Sequence, residues 1–253
     1  MYVDPHLPRH IFGWYSSRLG MEMPIVAYGD RGHPLVIYPT AQADFLENER
    51  FFLIKSIEHL IFAGKVRVFC IDSINRYAWM TRKVSVPEAA RRQALYSAYV
   101  EEEVVPHIRR VMDNPRARVA VTGASFGAFH AANQLFRRPD LFDTLIAMSG
   151  FYDLGPDYLH GYGDDNTYFN NPVSYLANMN EGHGLNLLRN ECDIHIITGQ
   201  GQWEAPHCSR QISELLWSKG IWHGLDMWGH DVSHDWPWWR KMLPYYISEK
   251  VRW

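Results

Sequence analysis

The chain has 253 residues, of which 47% are hydrophobic and 21% are charged, and its formal net charge is −3. This length suits one large α/β domain, and no Pro/Gly/Ser-rich linker divides the chain. The balanced charge and the scattered Lys and Arg residues provide no basic surface of the kind that nucleic-acid-binding proteins carry. We therefore expect no nucleic-acid partner.

The first ten residues, MYVDPHLPRH, lack the charged and apolar regions of a secretory signal, and no run of about 18 uncharged apolar residues occurs. These absences predict a soluble, cytoplasmic protein with no membrane partner. The three cysteines, Cys70, Cys192 and Cys208, have no C-x-x-C spacing. We expect them to be reduced, and we expect neither a structural metal nor a cofactor.

Short apolar runs bounded by turn residues predict strands, and longer segments with helical spacing predict helices. Residues 11–28 predict an antiparallel strand pair with Gly20 at the turn. Ser85, followed by Pro87 and Glu88, predicts the start of a helix that Pro106 ends or kinks. The other elements predicted up to residue 150 are strands at 34–39, 66–71, 117–122 and 144–150 and helices at 45–63 and 128–137.

Residues 154–190 interrupt this alternation, because Gly, Pro, Asn and Asp residues cluster there. They predict an irregular insertion with one short helix near 173–179, in a position that suits a lid or one wall of a pocket. The alternation resumes with strands at 193–198 and 221–228 and helices at 206–219 and 236–250. The pattern predicts a single domain over residues 1–253, with a mostly parallel, doubly wound α/β sheet and its ligand crevice at the carboxyl ends of the strands.

The pentapeptide 123–127, GASFG, lies between a predicted strand and a predicted helix. A G-x-S-x-G sequence at such a junction is typical of a nucleophile elbow, in which the serine hydroxyl projects above the sheet edge. An ordinary turn with a solvated serine is the alternative interpretation. The presence of an acid and a histidine in the right order downstream decides between the two, and it favours Ser125 as a nucleophile.

Glu204 follows the strand that ends at Thr198, and His234 follows the last predicted strand. This order, acid and then histidine, is the one that a nucleophile-elbow serine requires. The sequence therefore predicts that His234 takes the proton of Ser125 while Glu204 orients the ring and stabilises the imidazolium. Other candidates stay open, and they are Asp153, Asp226 and Asp231 for the acid and His230 for the base.

The oxyanion hole is predicted to use the backbone N–H of Phe126 and a second N–H from the loop after the strand at 34–39. Within that loop, Ala41 and Gln42 are equal candidates. Eight of the ten tryptophans follow residue 200, and two of them flank the predicted acid and histidine. We expect Trp203, Trp236 and Thr40 to line the substrate pocket.

The segment around His234 also contains a cluster of potential metal ligands, His230, Asp231 and Asp235. On a helix, His230 and His234 would share a face, as zinc ligands do. Gly229 and the position after a strand favour a loop instead, and no other His-rich element supplies a further ligand. We therefore expect no metal here.

Four blocks of the sequence resemble the putative-esterase family of α/β-hydrolases, which includes S-formylglutathione hydrolase, enterochelin esterases, feruloyl esterases and mycolyltransferases. They are EVVPHI at 103–108, TGASFG at 122–127, MSGFYD at 148–153 and SHDWPWW at 233–239. The resemblance implies the α/β-hydrolase fold, with helices on both faces of the sheet, and favours His234 over His230. Two positions depart from the family: PTAQA at 39–43 replaces a His-Gly-rich oxyanion loop, and Ser233 stands where glycine is common.

These features predict a cofactor-independent serine hydrolase that cleaves a small-molecule carboxylic ester through an acyl-enzyme. An acyltransferase that uses the same triad is a related hypothesis. A catalytically silent α/β-hydrolase domain that acts as a binding module is the second class, and the unusual loop at 40–43 motivates it. The pattern specifies neither the acyl nor the alcohol part of the substrate, and it leaves a homo-oligomer open.

Overall fold

A computed structural model describes residues 2–251, and its eight strands form one sheet. In chain order the strands are β1 (Arg9–Ser16), β2 (Met21–Tyr28), β3 (His33–Tyr38), β4 (Val66–Ile71), β5 (Val119–Ala124), β6 (Phe142–Met148), β7 (Asp193–Thr198) and β8 (Gly224–Met227). Across the sheet they lie in the order β1-β2-β4-β3-β5-β6-β7-β8. The pairs β1–β2 and β2–β4 are antiparallel and all other pairs are parallel, which confirms the predicted strand pair and the mostly parallel sheet.

Helices connect the strands on both faces of this sheet. They are α1 (Glu47–Arg50), α2 (Leu53–Phe62), α3 (Val86–Tyr99), α4 (Val105–Val111), α5 (Phe126–Arg137), α6 (Asp165–Tyr168), α7 (Pro172–Ala177), α8 (His183–Asn190), α9 (Pro206–Ser218) and α10 (Trp236–Tyr245). Shorter helical segments are a 3₁₀ turn at Asn75–Tyr77 and π turns at Val100–Val104, Gly155–Leu159 and Tyr246–Lys250. None of the helices within residues 2–251 is long and apolar enough to cross a membrane.

Two hydrophobic cores, one on each face, hold the helices to the sheet. On one face, α2 and α10 pack against side chains such as Leu35 and Met148. On the other, α3, α4, α5 and α9 pack against side chains such as Val36 and Leu145. Successive strand residues point to opposite faces, so the continuous apolar runs of the central strands supply both cores. The predicted α/β class with helices on both faces is thus confirmed.

The single helix predicted at 45–63 is wrong, because the segment contains two helices. Phe52 separates α1 from α2 with φ of 61°, a left-handed conformation that few residues other than glycine adopt. The predicted end before Gly64 is confirmed, since α2 ends at Phe62. The break turns α1 back toward the loop after β3, where Glu47 bonds to Thr40.

Of the two predicted effects of Pro106, which were to end or to kink the helix that begins after Ser85, the structure excludes the first, because the chain stays helical through Val111. Helix α3 continues through the π turn at Val100–Val104 into α4, which carries Pro106 in its first turn. The π turn interrupts the regular i to i−4 hydrogen-bond pattern of the α-helix just before Pro106. The proline has no N–H to donate, so it follows a turn in which that pattern is already changed. The N-cap is as predicted, because Ser85 Oγ accepts a hydrogen bond from the Glu88 N–H.

The segment at 154–190 contains more helix than the sequence predicts. Helix α7 corresponds to the short helix predicted near 173–179, but α6 and α8 were not predicted. Helix α8 escapes sequence analysis because Gly182 and Gly184 at its start obscure the helical pattern, which depends on three buried leucines. Asn170 fastens the segment to the body of the protein by accepting hydrogen bonds from Ser97 in α3 and Asn133 in α5.

Candidate active site

Ser125 lies in the turn between β5 and α5, with φ of 56° and ψ of −121°. This strained conformation is uncommon for a residue other than glycine and occurs in nucleophile elbows. The flanking glycines permit the turn: a Cβ on Gly123 would lie 2.5 Å from the carbonyl carbon of Gly127, and one on Gly127 would lie 2.8 Å from the Tyr38 carbonyl oxygen. The Ser125 N–H donates to the Met148 carbonyl at 3.0 Å, which fixes the turn against β6.

Glu204 follows β7, and its carboxylate is buried, with 1% of the side chain exposed. Its Oε1 accepts a 2.6 Å hydrogen bond from Ser149 Oγ, and its Oε2 accepts a 3.1 Å hydrogen bond from Thr198 Oγ1. The two hydroxyls belong to the ends of β6 and β7. A buried carboxylate needs such donors to remain ionised. The hydroxyls at the ends of these two strands therefore stabilise the charged form of Glu204.

His234 lies in the loop after β8 with its Nδ1 3.6 Å from Glu204 Oε2. This distance is slightly beyond a direct hydrogen bond and within the range of an ion pair. The backbone N–H of His234 donates to the Gln202 carbonyl at 3.0 Å, and the Gly201 N–H donates to the Val232 carbonyl at 2.9 Å. The loop that carries the histidine is therefore bonded along its backbone to the loop that carries Glu204.

Trp239 connects this pair with the strand next to Ser125. Its indole meets the His234 ring edge-on at 5.1 Å, and its Nε1 donates to Ser149 Oγ at 3.0 Å. Ser149 directly follows β6, whose last residue, Met148, pairs with Ala124, the residue before Ser125. A chain of contacts through Trp239 and Ser149 thereby links His234 to the end of β6, the strand next to β5. The hydrogen bond from Ser125 Oγ to the imidazole stays a prediction.

The electrostatics of Glu204 suit an acid that faces an imidazolium. Burial by itself would raise the pKa of Glu204, but His234 and the hydroxyls of Ser149 and Thr198 outweigh burial, so the pKa lies below its ordinary value. A carboxylate that remains ionised through the working pH range stabilises positive charge on a neighbouring ring. The lowered pKa agrees with the role of Glu204 in orienting His234, which stays a prediction.

The rival candidates have other surroundings. Asp153 Oδ1 accepts hydrogen bonds from the Gly155 N–H and from Asn171, so it organises the segment after β6. Asp226 accepts a hydrogen bond from Tyr246, while Asp231 and His230 are exposed. Among residues 2–251 no group of three or more His, Cys, Asp or Glu side chains has the arrangement of a metal site.

The loop that follows β3, residues 39–43, is held by hydrogen bonds near both of its ends. Glu47 accepts hydrogen bonds from the Thr40 N–H at 2.8 Å and from Thr40 Oγ1 at 2.7 Å, while Arg76 donates to the Ala43 carbonyl at 3.2 Å. Because the Thr40 N–H already donates to Glu47, it is not available as an oxyanion donor. Ala41 packs against the apolar cluster that contains Phe126. The Phe126 N–H lies in the first turn of α5, where no preceding helical turn provides an acceptor.

The predicted pocket residues differ in their environments. Trp203 is 81% exposed, and Trp236 stacks on Phe51 at 4.7 Å. A second aromatic group, which the sequence analysis missed, surrounds Phe126: its ring lies 5.0 Å from Phe151 and 5.5 Å from Tyr158. The members of this group come from distant segments with no shared periodicity, so no sequence pattern marks them.

The sequence analysis also missed the residues that support Glu204. Ser149 belongs to the family-like block at 148–153, and this is the only signal that marks it. Trp239 is buried in the core, with 3% of it exposed. Its indole N–H, however, bonds within the site. Such roles depend on tertiary contacts and cannot be read from spacing.

A family model described as "Putative esterase" matches residues 23–249. Among solved structures, the chain is similar to an S-formylglutathione hydrolase from Staphylococcus aureus, with 14% identity, a TM-score of 0.69, and coverage of 97% of this chain and 98% of that one. It is also similar to a fluorophosphonate-binding serine hydrolase from the same organism, with 11% identity, a TM-score of 0.72 and coverage of 96% and 97%. A ferulic acid esterase from Anaeromyces mucronatus has 13% identity, a TM-score of 0.70 and coverage of 96% and 90%. No curated protein sequence matches the chain.

Proposed function

Because this chain belongs to the putative-esterase family and is a carboxylic ester hydrolase with the α/β-hydrolase fold, we propose that Ser125, His234 and Glu204 form its catalytic triad. The observation that carries the proposal is the 3.6 Å contact between His234 and the buried Glu204 carboxylate, which Ser149 joins to the end of β6, the strand next to the one that leads to Ser125. The strained backbone of Ser125 is the second support, since strain of this kind persists where function requires it.

In the proposed reaction, Ser125 Oγ attacks the carbonyl carbon of the ester while its proton passes to His234 Nε2. The C–O bond to the alcohol then breaks, and the alcohol leaves with the proton from His234. A water molecule attacks the resulting acyl-enzyme, giving its proton to the same nitrogen, and the carboxylic acid leaves as Ser125 regains its hydrogen. Glu204 holds the ring and stabilises the positive charge at both stages.

The oxyanion that forms in each step needs two N–H donors. We assign the first to Phe126, whose N–H begins α5, where the positive end of the helix dipole also favours negative charge. The second comes from Ala41 or Gln42, because the neighbouring Thr40 N–H is already bonded to Glu47. Thr40 then acts as the anchor of the oxyanion loop.

We further propose that residues 154–190 belong to the same domain and form one wall of the substrate pocket. The π turn at Gly155–Leu159 supports this role, since its Tyr158 contacts Phe126 next to the nucleophile. Trp79 approaches the same tyrosine at 6.0 Å. A wall of this composition suits a flat apolar group of the ester.

The decisive experiment compares wild type with Ser125→Ala on a short p-nitrophenyl ester and with a fluorophosphonate probe. We expect the variant to lose hydrolysis and labelling together, with an unchanged circular dichroism spectrum. Turnover that survives in the variant would refute Ser125 as nucleophile. A folded wild-type protein that neither hydrolyses nor reacts would instead indicate a silent binding module, and diversion of the acyl group to an added alcohol would indicate a transferase.

A further inference from the structure

A cavity of about 520 Å³ lies between the first strands of the sheet and helix α4. Its lining includes Phe12 and Trp14 from β1, a floor of Arg67 and Phe69 from β4, and residues of α4. Its volume falls in the range of small-molecule sites. None of the residues in the proposed triad or oxyanion loop lines it.

The cavity is remote from Ser125 along the strands. Arg67 is the second residue of β4, whereas Ser125 follows the last residue of β5. Both strands run parallel to β3, which lies between them. The cavity is therefore near the amino end of the parallel strands and the nucleophile is at the carboxyl end, so a ligand in the cavity would not occupy the ester site.

The charged groups around the cavity have one sign. Two arginines, Arg67 and Arg110, and two histidines line it, and none of the described lining residues is Asp or Glu. Glu103 contacts the lining residue Trp14 but is engaged by its indole N–H at 2.7 Å and by Ser16 Oγ at 2.8 Å. A small anion entering the cavity would thus meet two guanidinium groups and no carboxylate in its lining.

Both guanidinium groups keep donors available. Arg67 uses its Nη1 on the Val111 carbonyl and the Met112 sulfur, whereas its Nη2 makes no hydrogen bond within residues 2–251. Arg110 uses one Nη2 hydrogen on His107 Nδ1 at 2.8 Å and is otherwise exposed. An arginine presents five N–H groups in a planar fork that matches a carboxylate, so each has N–H groups left for a ligand.

The remaining walls are flat aromatic rings. The His107 ring stacks on Phe12 at 4.7 Å and on Trp14 at 5.1 Å, with interplanar angles of 24° and 29°. Phe69 completes the apolar floor, with the Arg67 guanidinium 5.5 Å from its ring centre. Near-parallel rings favour a flat aromatic body in offset stacking over a branched aliphatic one.

We propose that this cavity is a second binding site, which takes a small aromatic carboxylate. The ring of the ligand packs among Phe12, Trp14 and Phe69, and its carboxylate bonds to Arg67 and Arg110. Arg110 holds the ligand at the exposed rim and Arg67 holds it at the floor. The proposal concerns binding alone, so it holds or fails independently of the catalytic triad.

Isothermal titration calorimetry with 2-naphthoate tests the proposal directly. We expect saturable binding to wild type, and binding at least about tenfold weaker to Arg110→Gln, because a charged hydrogen-bond partner is lost. Arg116→Gln is the matched control: it removes the same charge from an exposed residue that does not line the cavity, and it should bind as wild type does. Arg67→Gln, checked for an unchanged Tm, should also weaken binding.

The neutral analogue 2-naphthylmethanol separates the charge from the ring. Wild type should bind this alcohol at least about tenfold more weakly than it binds 2-naphthoate. The Arg110→Gln variant should bind the alcohol with the same affinity as wild type does, because the alcohol has no charge for Arg110 to pair with. The proposal is overturned if 2-naphthoate fails to saturate in the millimolar range. It is also overturned if Arg110→Gln retains full affinity, or if the alcohol binds as tightly as the acid.

Discussion

The hydroxyl of Ser149 donates a 2.6 Å hydrogen bond to Glu204 Oε1 and accepts a 3.0 Å hydrogen bond from Trp239 Nε1. Because the hydroxyl has one proton and that proton points to the carboxylate, the chain from Trp239 to Glu204 has a fixed direction. Ser149 itself is 5% exposed and has φ of 51°. The proposed acid therefore depends on a strained residue of the neighbouring strand for its orientation.

Ser149→Ala should lower kcat by about tenfold while KM changes little, because a hydrogen bond to a charged group is lost away from the substrate. Steady-state kinetics on a p-nitrophenyl ester measure both constants. Ser218→Ala, which removes an exposed hydroxyl bonded only to the Leu215 carbonyl, is the control and should have wild-type constants. An unchanged kcat in folded Ser149→Ala would show that Glu204 needs no such support.

Glu204→Gln should lower kcat/KM by at least about 10³-fold, since an amide can neither stabilise the imidazolium nor hold the required tautomer. Asp153→Asn provides the matched comparison, because Asp153 bonds to Gly155 and Asn171 and was one of the alternative acids that the sequence offered. It should retain activity within a few-fold of wild type. The opposite ranking of the two variants would transfer the role of the acid to Asp153.

The low pKa of Glu204 makes a prediction about stability in acid. Ionised Glu204 stabilises the fold above the ordinary glutamate pKa of about 4.3, and this contribution disappears as the pH falls through the lower pKa of the folded state. The difference in free energy of unfolding between wild type and Glu204→Gln should therefore shrink between about pH 6 and pH 3. Urea unfolding at several pH values measures it, with the exposed Glu181→Gln as control. A difference that grows in acid would contradict the assigned direction of the shift.

Gly127→Ala should destabilise the protein by about 1–3 kcal/mol, the usual cost of overpacking. The new Cβ would lie 2.8 Å from the carbonyl oxygens of both Tyr38 and Pro39, and backbone cannot yield as a flexible side chain does. Gly163→Ala is the control, since no atom lies within 4 Å of a Cβ there. Denaturant midpoints give both values. Equal stability of the two variants would mean that the elbow and the oxyanion loop are less closely packed than we describe.

The parts of the fold that the sequence predicted best are the buried strands. The strands at Val66–Ile71 and Asp193–Thr198 have the predicted bounds, because an apolar run closed by polar or glycine residues marks both ends. The break at Phe52 could not be predicted, since a phenylalanine rarely adopts positive φ and nothing in the local sequence marks this one. The sequence could not decide whether Pro106 ends or kinks its helix, because the π turn at Val100–Val104, through which the helix continues, is visible only in the structure.

The residues of the proposed site likewise fall into those that the sequence predicted and those that it did not. Ser125, Glu204 and His234 follow from motif and chain order, which the sequence displays directly. Ser149 and Trp239 do not, because their contribution is a contact between strand ends and the last helix. The cavity at α4 could not be predicted from the sequence either. Its two arginines are 43 positions apart in the chain, at 67 and 110, and only the fold shows that both line the same cavity.

The backbone bonds between the loops of Glu204 and His234 have a mechanical consequence. Through Gln202 and Gly201, the two loops form a single small platform, and Val232 packs so closely against it that a Cβ on Gly199 would lie 2.2 Å from the Val232 carbonyl oxygen. These bonds hold the spacing of His234 and Glu204 through the backbone as well as through the side-chain contact. A change in either loop should therefore disturb the proposed acid and the proposed base together, because their spacing does not depend on the two side chains alone.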